Sequence, residues 1–308
     1  MESVFDVFQS VKTLLFLGNY QSATEEASST DINEDDLSQV VKKYFYIFIS
    51  CIEDQKTEEL NTFMQNLKSV NNPQIKIYYN LFLFFILYTF KGQFNEQKFN
   101  ILYKDLKEVK KFDPVLFPAV YIISLMLLSR KEYENFLQLI EKFESDLEIL
   151  SLKFYLFFHL NKLDEMEKLV NTMNIREPDS ILSLICTILF NLYKKNDFEF
   201  ALNSLQMINK NHKMTPKLFS FIGLALMSKG SFEEAIKVLN FGKETLEKNG
   251  ISSKDYFTIL VNLICCYRNL LKEEEVRSCE ELLRKSDTRN EYFNRANYFD
   301  EEFNKAFE

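Results

Sequence analysis

The chain has 308 residues, 46% of them hydrophobic, and a formal net charge of −8. That balance excludes a general nucleic-acid binder, which needs a basic face, and weighs against direct attachment to anionic lipid. Six glycines and five prolines are too few for a fold of strands and tight turns, so helices joined by short turns are expected.

The opening "MESVFDVFQS" is acidic and lacks a charged start followed by an apolar core, so no secretory signal is expected. The longest uncharged stretches, Ile77 to Phe90 and Pro114 to Ser129, fall short of the roughly 20 residues that span a bilayer. Along the chain a turn followed by an amphipathic helix recurs. It begins in "LLFLGNYQSATEEA" at 14–27, before a polar loop at 28–38. A weak unit, "DQKTEELNTF", starts at 54, and clearer ones follow: "GQFNEQKFNI" at 92, "KEYENFLQLI" at 131, "NKLDEMEKLV" at 161 and "NDFEFALNSL" at 196. After a linker at 209–217 comes "LFSFIGLALMSKGSFEEAIKVLNFGKE" at 218–244, then "LKEEEVRSCE" at 271.

The stretch at 218–244 follows the tetratricopeptide pattern: Phe219, Ile222, Gly223 and Leu226 on a first helix, Ala235 and Leu239 on a second. Gly223 and Ala235 are the small residues expected where two helices cross closely. Leu226 and Leu239 fill the space beside the crossing, and Gly230 provides the positive φ of the turn. Ala201 precedes Ala235 by 34 residues, the length of that repeat. Taking Ala23, Gln97, Phe136, Met166, Ala201, Ala235 and Val276 as equivalent, the intervals are 74, 39, 30, 35, 34 and 41, the first being two units. The expectation is an all-α, right-handed superhelix (an α-solenoid) of about eight degenerate tetratricopeptide-like hairpins over residues 1–284, with a capping tail at 285–308. A compact aromatic-rich bundle is the competing expectation, but it has no reason to keep a 34-residue offset.

Chemistry is sparse. His159 and His212 are the two histidines, and neither stands at metal-ligand spacing from Cys, Asp or Glu. No glycine-rich phosphate loop and no nucleophile elbow occurs. The acidic runs Glu34–Asp36 and Glu273–Glu275 lack the turn glycine and alternating ligands of a calcium loop. Cys51, Cys186, Cys265, Cys266 and Cys279 are odd in number and without a CxxC motif, as in a reduced cytosolic chain with mostly buried thiols. No catalysis, no cofactor and no metal is expected.

In such solenoids the first helix of each pair lines the inner face, at positions one and four after the Gly223-like residue. These positions are Leu125 and Leu128, Tyr155 and Phe158, Phe190 and Tyr193, Leu224 and Met227, and Cys265 and Arg268. A groove for acidic peptide tails, as in an adaptor or co-chaperone, would carry Lys, Arg and Asn instead; only Arg268 fits. A strip this apolar is expected to be covered, either by a partner or by the chain's own C-terminal tail. A register displaced by one would make the same residues ordinary core.

Several segments resemble the epsilon subunit of coatomer, the COPI vesicle coat. "LLFLGNYQSATEEA" is similar to that family's opening hairpin through Phe16, Gly18, Tyr20, Gln21, Glu26 and Ala27. Residues 150–174 resemble its helix pair with a Leu160–Asp164 turn, and "TPKLFSFIGLALMSKGSFEEAIKVL" its best-preserved repeat. "DYFTILVNLICCYRNLLKEEEV" resembles the repeat after that, and the tail, with Glu291–Tyr292 and Phe299–Asp300, the family's ending. Residues 60–130 show little of the pattern. The resemblance implies a non-catalytic, cytosolic coat subunit whose solenoid holds the C-terminal domain of the alpha subunit and meets other coatomer subunits indirectly. That coat is recruited to Golgi membranes by an Arf-family GTPase and returns dilysine-tagged cargo to the endoplasmic reticulum. In this reading the chain contacts no nucleic acid and is peripheral to the membrane through the coat alone.

Overall fold

A computed structural model describes residues 6–109, 113–248, 254–286 and 292–293. Among these residues every regular element is helical. The chain divides into two compact units, residues 1–190 and 191–308.

The first unit holds α1 (Gln9–Leu17), α2 (Tyr20–Ser29), α3 (Leu37–Asp54), α4 (Thr57–Ser69), α5 (Pro73–Lys91), α6 (Glu96–Glu108), α7 (Phe117–Ser129), α8 (Tyr133–Ile140), α9 (Leu147–His159), α10 (Leu163–Arg176) and α11 (Ile181–Phe190). The second begins with a wide π-helical turn at Asn191–Lys195. It continues with α12 (Phe198–Asn211), α13 (Pro216–Ser228), α14 (Phe232–Lys248), α15 (Lys254–Asn269) and α16 (Glu273–Ser286). Neighbouring helices pack as antiparallel hairpins, the all-α solenoid architecture expected from the repeat.

The repeat is written more regularly in the backbone than in the side chains. Ahead of each even-numbered helix one residue takes positive φ: Gly18, Gln55, Gly92, Lys131, Asn161, Asn196, Gly230 and Leu271. Most of these turns close in the same way. The N–H of Gly230 bonds the Met227 carbonyl and that of Ser231 the Leu226 carbonyl, both at 2.9 Å, and the corresponding pair recurs around Gly18, Lys131, Asn161 and Leu271. This arrangement satisfies the last carbonyls of the incoming helix.

The fourth residue of each even-numbered helix donates its N–H to the carbonyl of the residue just ahead of the helix, and this donor residue is buried. The series is Ala23, Leu60, Phe99, Phe136, Met166, Ala201, Ala235 and Val276. Gln97, expected in this series, is exposed. The turn after Gly92 has two extra residues, so α6 starts at Glu96 and Phe99 takes the buried place. The small residues at 223 and 235 act as expected, with one refinement. A Cβ on Gly223 would lie 2.6 Å from Leu239 Cδ2, so the glycine makes room for Leu239 itself.

The core of the first unit is aromatic. Phe45 lies between Tyr46, Phe117 and Tyr121 with ring centroids 5.2–5.3 Å away, and Phe48 stacks on Phe82 at 4.2 Å. Nearly every residue of α7 is buried, as befits a helix that is apolar all round. The first helix, α1, packs against the last, α11. A polar cluster fastens α1 further: Lys12 Nζ lies 2.7 Å from both Asp6 and Glu148, and the Tyr46 hydroxyl donates to Glu148 at 2.8 Å. Burial opposes the charge on Lys12, but Glu148 and Asp6 outweigh it and hold the ammonium above the usual lysine range.

This inward packing corrects the expectation of a continuous open strip. Leu128 is 9% exposed and Phe190 3%, so both already lie in the core of the first unit. Leu125 is half-buried against the same core.

Candidate partner-binding surfaces

With Leu128 and Phe190 buried, the expected inner positions of the first unit reduce to the end of α9. Its outward-facing side carries Tyr155, 57% exposed, and Phe158, 36% exposed. They are held in place by neighbours of the same kind. Phe158 stacks on buried Phe154 at 6.5 Å, and Tyr155 stacks on His159 at 6.3 Å. Tyr133 of α8 meets the edge of that imidazole, also at 6.3 Å. His159 is therefore part of an aromatic surface. Leu160, just beyond the helix, is also exposed. The spacing rule names Tyr155 and Phe158, which are exposed; Tyr133 and Leu160, from the flanking helix and turn, lie outside that rule.

In the second unit Tyr193 is exposed on the π-helical turn. Leu224 and Met227 are half-buried on α13, Cys265 is half-buried on α15, and Arg268 is exposed one turn further on. α13 and α15 pack directly against one another, which brings these four onto neighbouring inner helices. Arg268 donates to Glu280 of α16 at 2.9 Å, and its guanidinium carbon lies 5.7 Å from the centre of the Tyr292 ring. Burial raises the Cys265 thiol above its ordinary value, partly offset by Arg268. The other four cysteines are buried, and burial is the leading cause that raises Cys51 to about 11, Cys186 to about 12 and Cys266 to about 11. These thiols pack as small apolar groups.

Among the described residues no group of His, Cys, Asp and Glu is placed to hold a metal ion. No helix there is long and apolar enough to cross a membrane. The acidic runs serve local structure: the Asp36 side chain caps α3 by accepting from the Ser38 N–H, and Glu273–Glu275 are exposed on the first turn of α16, where negative charge complements the helix dipole.

Stacked helical hairpins with apolar and aromatic side chains left on their inner helices define a scaffold of the tetratricopeptide class. Within that class, the family described as the coatomer epsilon subunit matches residues 89–308, well over half of the chain, and the chain belongs to that family. It is a subunit of the COPI coatomer, the vesicle coat that works on Golgi membranes from the cytosolic side, and it associates with other coatomer subunits. No curated protein matches the chain. The matched span includes residues 89–130, where the sequence alone showed little resemblance, and leaves out the hairpin at 14–27, where a resemblance was visible.

Proposed function

We propose that the chain is a non-catalytic structural subunit that binds the C-terminal domain of the coatomer alpha subunit and supports Golgi-to-endoplasmic-reticulum retrograde transport. Membership of the epsilon family is the observation that carries this reading. The exposed side chains fit it. Tyr155 and Phe158 in the first unit, and Tyr193 with Leu224, Met227, Cys265 and Arg268 in the second, offer apolar and aromatic surface with one cation. Each large apolar side chain fully covered by a partner contributes about 1.5–3 kcal/mol, so a few suffice for a lasting complex. These positions lack the basic side chains that an adaptor for acidic peptide tails would need; Arg268 is the one cation among them.

The test is co-expression with the C-terminal domain of the alpha subunit, followed by affinity capture and mass spectrometry. The two chains are expected to co-purify. Tyr155→Asp with Phe158→Asp is expected to weaken the complex about 100-fold, the scale of a two-residue aromatic anchor, while circular dichroism stays unchanged. Failure of the wild-type pair to co-purify overturns the reading. Capture unaffected by the double substitution overturns the placement of the site.

A further inference from the structure

From Ile77 to Phe90, α5 carries no charged residue and has apolar side chains on every side, a pattern that belongs to a buried helix. α7 has the same pattern and is buried on nearly every side. α5 is not. Tyr78, Leu81, Phe82 and Phe85 face the core, while the opposite side meets solvent, with Leu83 37% and Phe90 40% exposed. Leu87, half-buried, lies between them on that side. The exposed side also has an order. Lys76, Asn80, Leu83, Leu87 and Phe90 follow at intervals of four, three, four and three, the spacing of a helix that packs along a second helix. Lys76 stands at one end and Lys91 at the other, and both are exposed. α5 contains no Asp or Glu, in a chain whose net charge is −8.

We infer that this side of α5 is a docking strip for an amphipathic helix of another protein, with apolar residues at alternating intervals of three and four and a carboxylate near each end. Lys76 and Lys91 are fifteen positions apart, about 22 Å along a helix, which sets the length of the occupant. Charge selects its kind. A second copy of the strip would set lysine against lysine whether the two helices ran parallel or antiparallel. A bilayer surface asks for a row of basic residues along the polar face, and the strip has one lysine at each end. A helix with acidic ends pairs with both lysines, and its apolar stripe covers Leu83, Leu87 and Phe90. Asn80 adds register, because a single polar residue in such a stripe fixes the alignment of the partner. Most of the strip precedes residues 89–308, the span matched to the epsilon family. The inference therefore goes beyond family membership and does not rest on binding of the alpha subunit.

The test uses the full chain and two synthetic helices of about 18 residues, each with leucines at alternating intervals of three and four and one asparagine in that stripe. One has glutamates at both ends, the other lysines. Binding is read by fluorescence anisotropy of the labelled peptide. The glutamate-ended peptide is expected to bind about tenfold more tightly at low salt, with the difference shrinking in about 1 M NaCl as the charges are screened. Lys76→Glu/Lys91→Glu should reverse the preference, a change that misfolding cannot produce. Leu83→Asp/Phe90→Asp should weaken binding of both peptides at least about tenfold with circular dichroism unchanged, and Tyr155→Asp/Phe158→Asp should leave it as it was. No binding at about 1 mM peptide, or a preference that survives the lysine reversal, overturns the inference. So does dimerisation of the chain alone that Leu83→Asp/Phe90→Asp abolishes, because a second copy is then the cover. Flotation with phosphatidylserine vesicles that Lys76→Glu/Lys91→Glu abolishes also overturns it, because the strip then meets a bilayer. None of these readouts contains the alpha subunit, so capture of its C-terminal domain succeeds or fails separately.

Discussion

Replacing Gly223 by alanine is the sharpest test of how the second unit is packed. The added Cβ would stand 2.6 Å from Leu239 Cδ2, 2.8 Å from its Cγ and 3.2 Å from its Cδ1. Leu239 is fully buried and cannot swing into solvent, so either its rotamer or the α13–α14 spacing must give. Overpacking of this kind costs about 1–3 kcal/mol. Alanine is also about 1 kcal/mol better than glycine in a helix interior, and the two effects oppose. Because the contact involves the branch carbon as well as a methyl, the steric effect wins, and a net loss of about 1–2 kcal/mol is expected. The assay is urea denaturation followed by circular dichroism, with Leu239→Ala and the double variant completing a cycle. Leu239→Ala alone is expected to cost about 2–5 kcal/mol through its cavity. In the Gly223→Ala background it should cost at least about 1 kcal/mol less, since the new methyl enters that cavity. A stabilised Gly223→Ala, or strict additivity, would refute the close crossing.

Other consequences are separable from this one. Leu271, Lys131 and Gln55 hold positive φ at a cost of about 1–2 kcal/mol each relative to right-handed backbone; Leu271→Gly and Lys131→Gly are each expected to raise stability by up to about 1 kcal/mol in urea melts, and Gly230→Ala, with open space around its Cβ but φ of +82°, to lower it by about 1 kcal/mol. Lys12→Met leaves the Glu148 carboxylate, 2% exposed, without its cation and is expected to cost about 3–5 kcal/mol, with faster hydrogen exchange in α1; Lys12→Met/Glu148→Leu should recover most of that loss, and a neutral single variant would contradict the buried pair. Asp146 is pushed up to about 6, first by burial and then by the Glu148 charge, against the offsetting pull of Lys42 and Lys12. The folded chain therefore binds this proton more readily than the unfolded chain does, so the residue contributes least stability when ionised. Its contribution is expected to worsen as pH rises from about 4 through 6, by at most about 3 kcal/mol. Asp146→Asn should remove that slope and be the more stable form at pH 7; parallel pH–stability curves for the two chains would rule this out.

How much of this was legible in the sequence depends on what each residue is asked to do. Where the turn residue is glycine, at 18, 92 and 230, the hairpin could be read directly, because glycine takes positive φ without steric cost. Asn161 and Asn196 tolerate the same conformation, and their turns were also found. Gln55 and Leu271 give no such signal, and the unit after Gln55 was accordingly the weakest in the sequence. The buried place in α6 went to Phe99 rather than Gln97 because two extra turn residues moved the helix start; a fixed offset counted from the glycine cannot detect that, whereas counting from the helix cap, Asn95, would have. The partner surface was legible only by spacing. Spacing identifies which side of a helix faces inward, but not whether another inner helix already lies there. Leu128 and Tyr155 follow the same rule, yet one is core and the other exposed.

That difference has a physical origin in the aromatic content of the chain. An inner helix lined by small residues leaves a channel between itself and its neighbours. Here Phe45 and Tyr46 of α3 meet Phe117 and Tyr121 of α7, with the other three rings centred 5.2–5.3 Å from that of Phe45. The N-terminal helix then completes the closure, held by Lys12 to Glu148 across a separation of more than 100 residues. Among the described residues the large apolar side chains that stay accessible include Tyr155 and Phe158 on α9, Ile77, Leu83 and Phe90 on α5, and Tyr193 in the second unit. A partner meeting such a surface gains its affinity from a few large side chains rather than from a long lined groove. It follows that substitutions at Tyr155 and Phe158 should affect binding without affecting folding, while those at Phe190 and Leu128, at the same two positions of other units, should affect folding first.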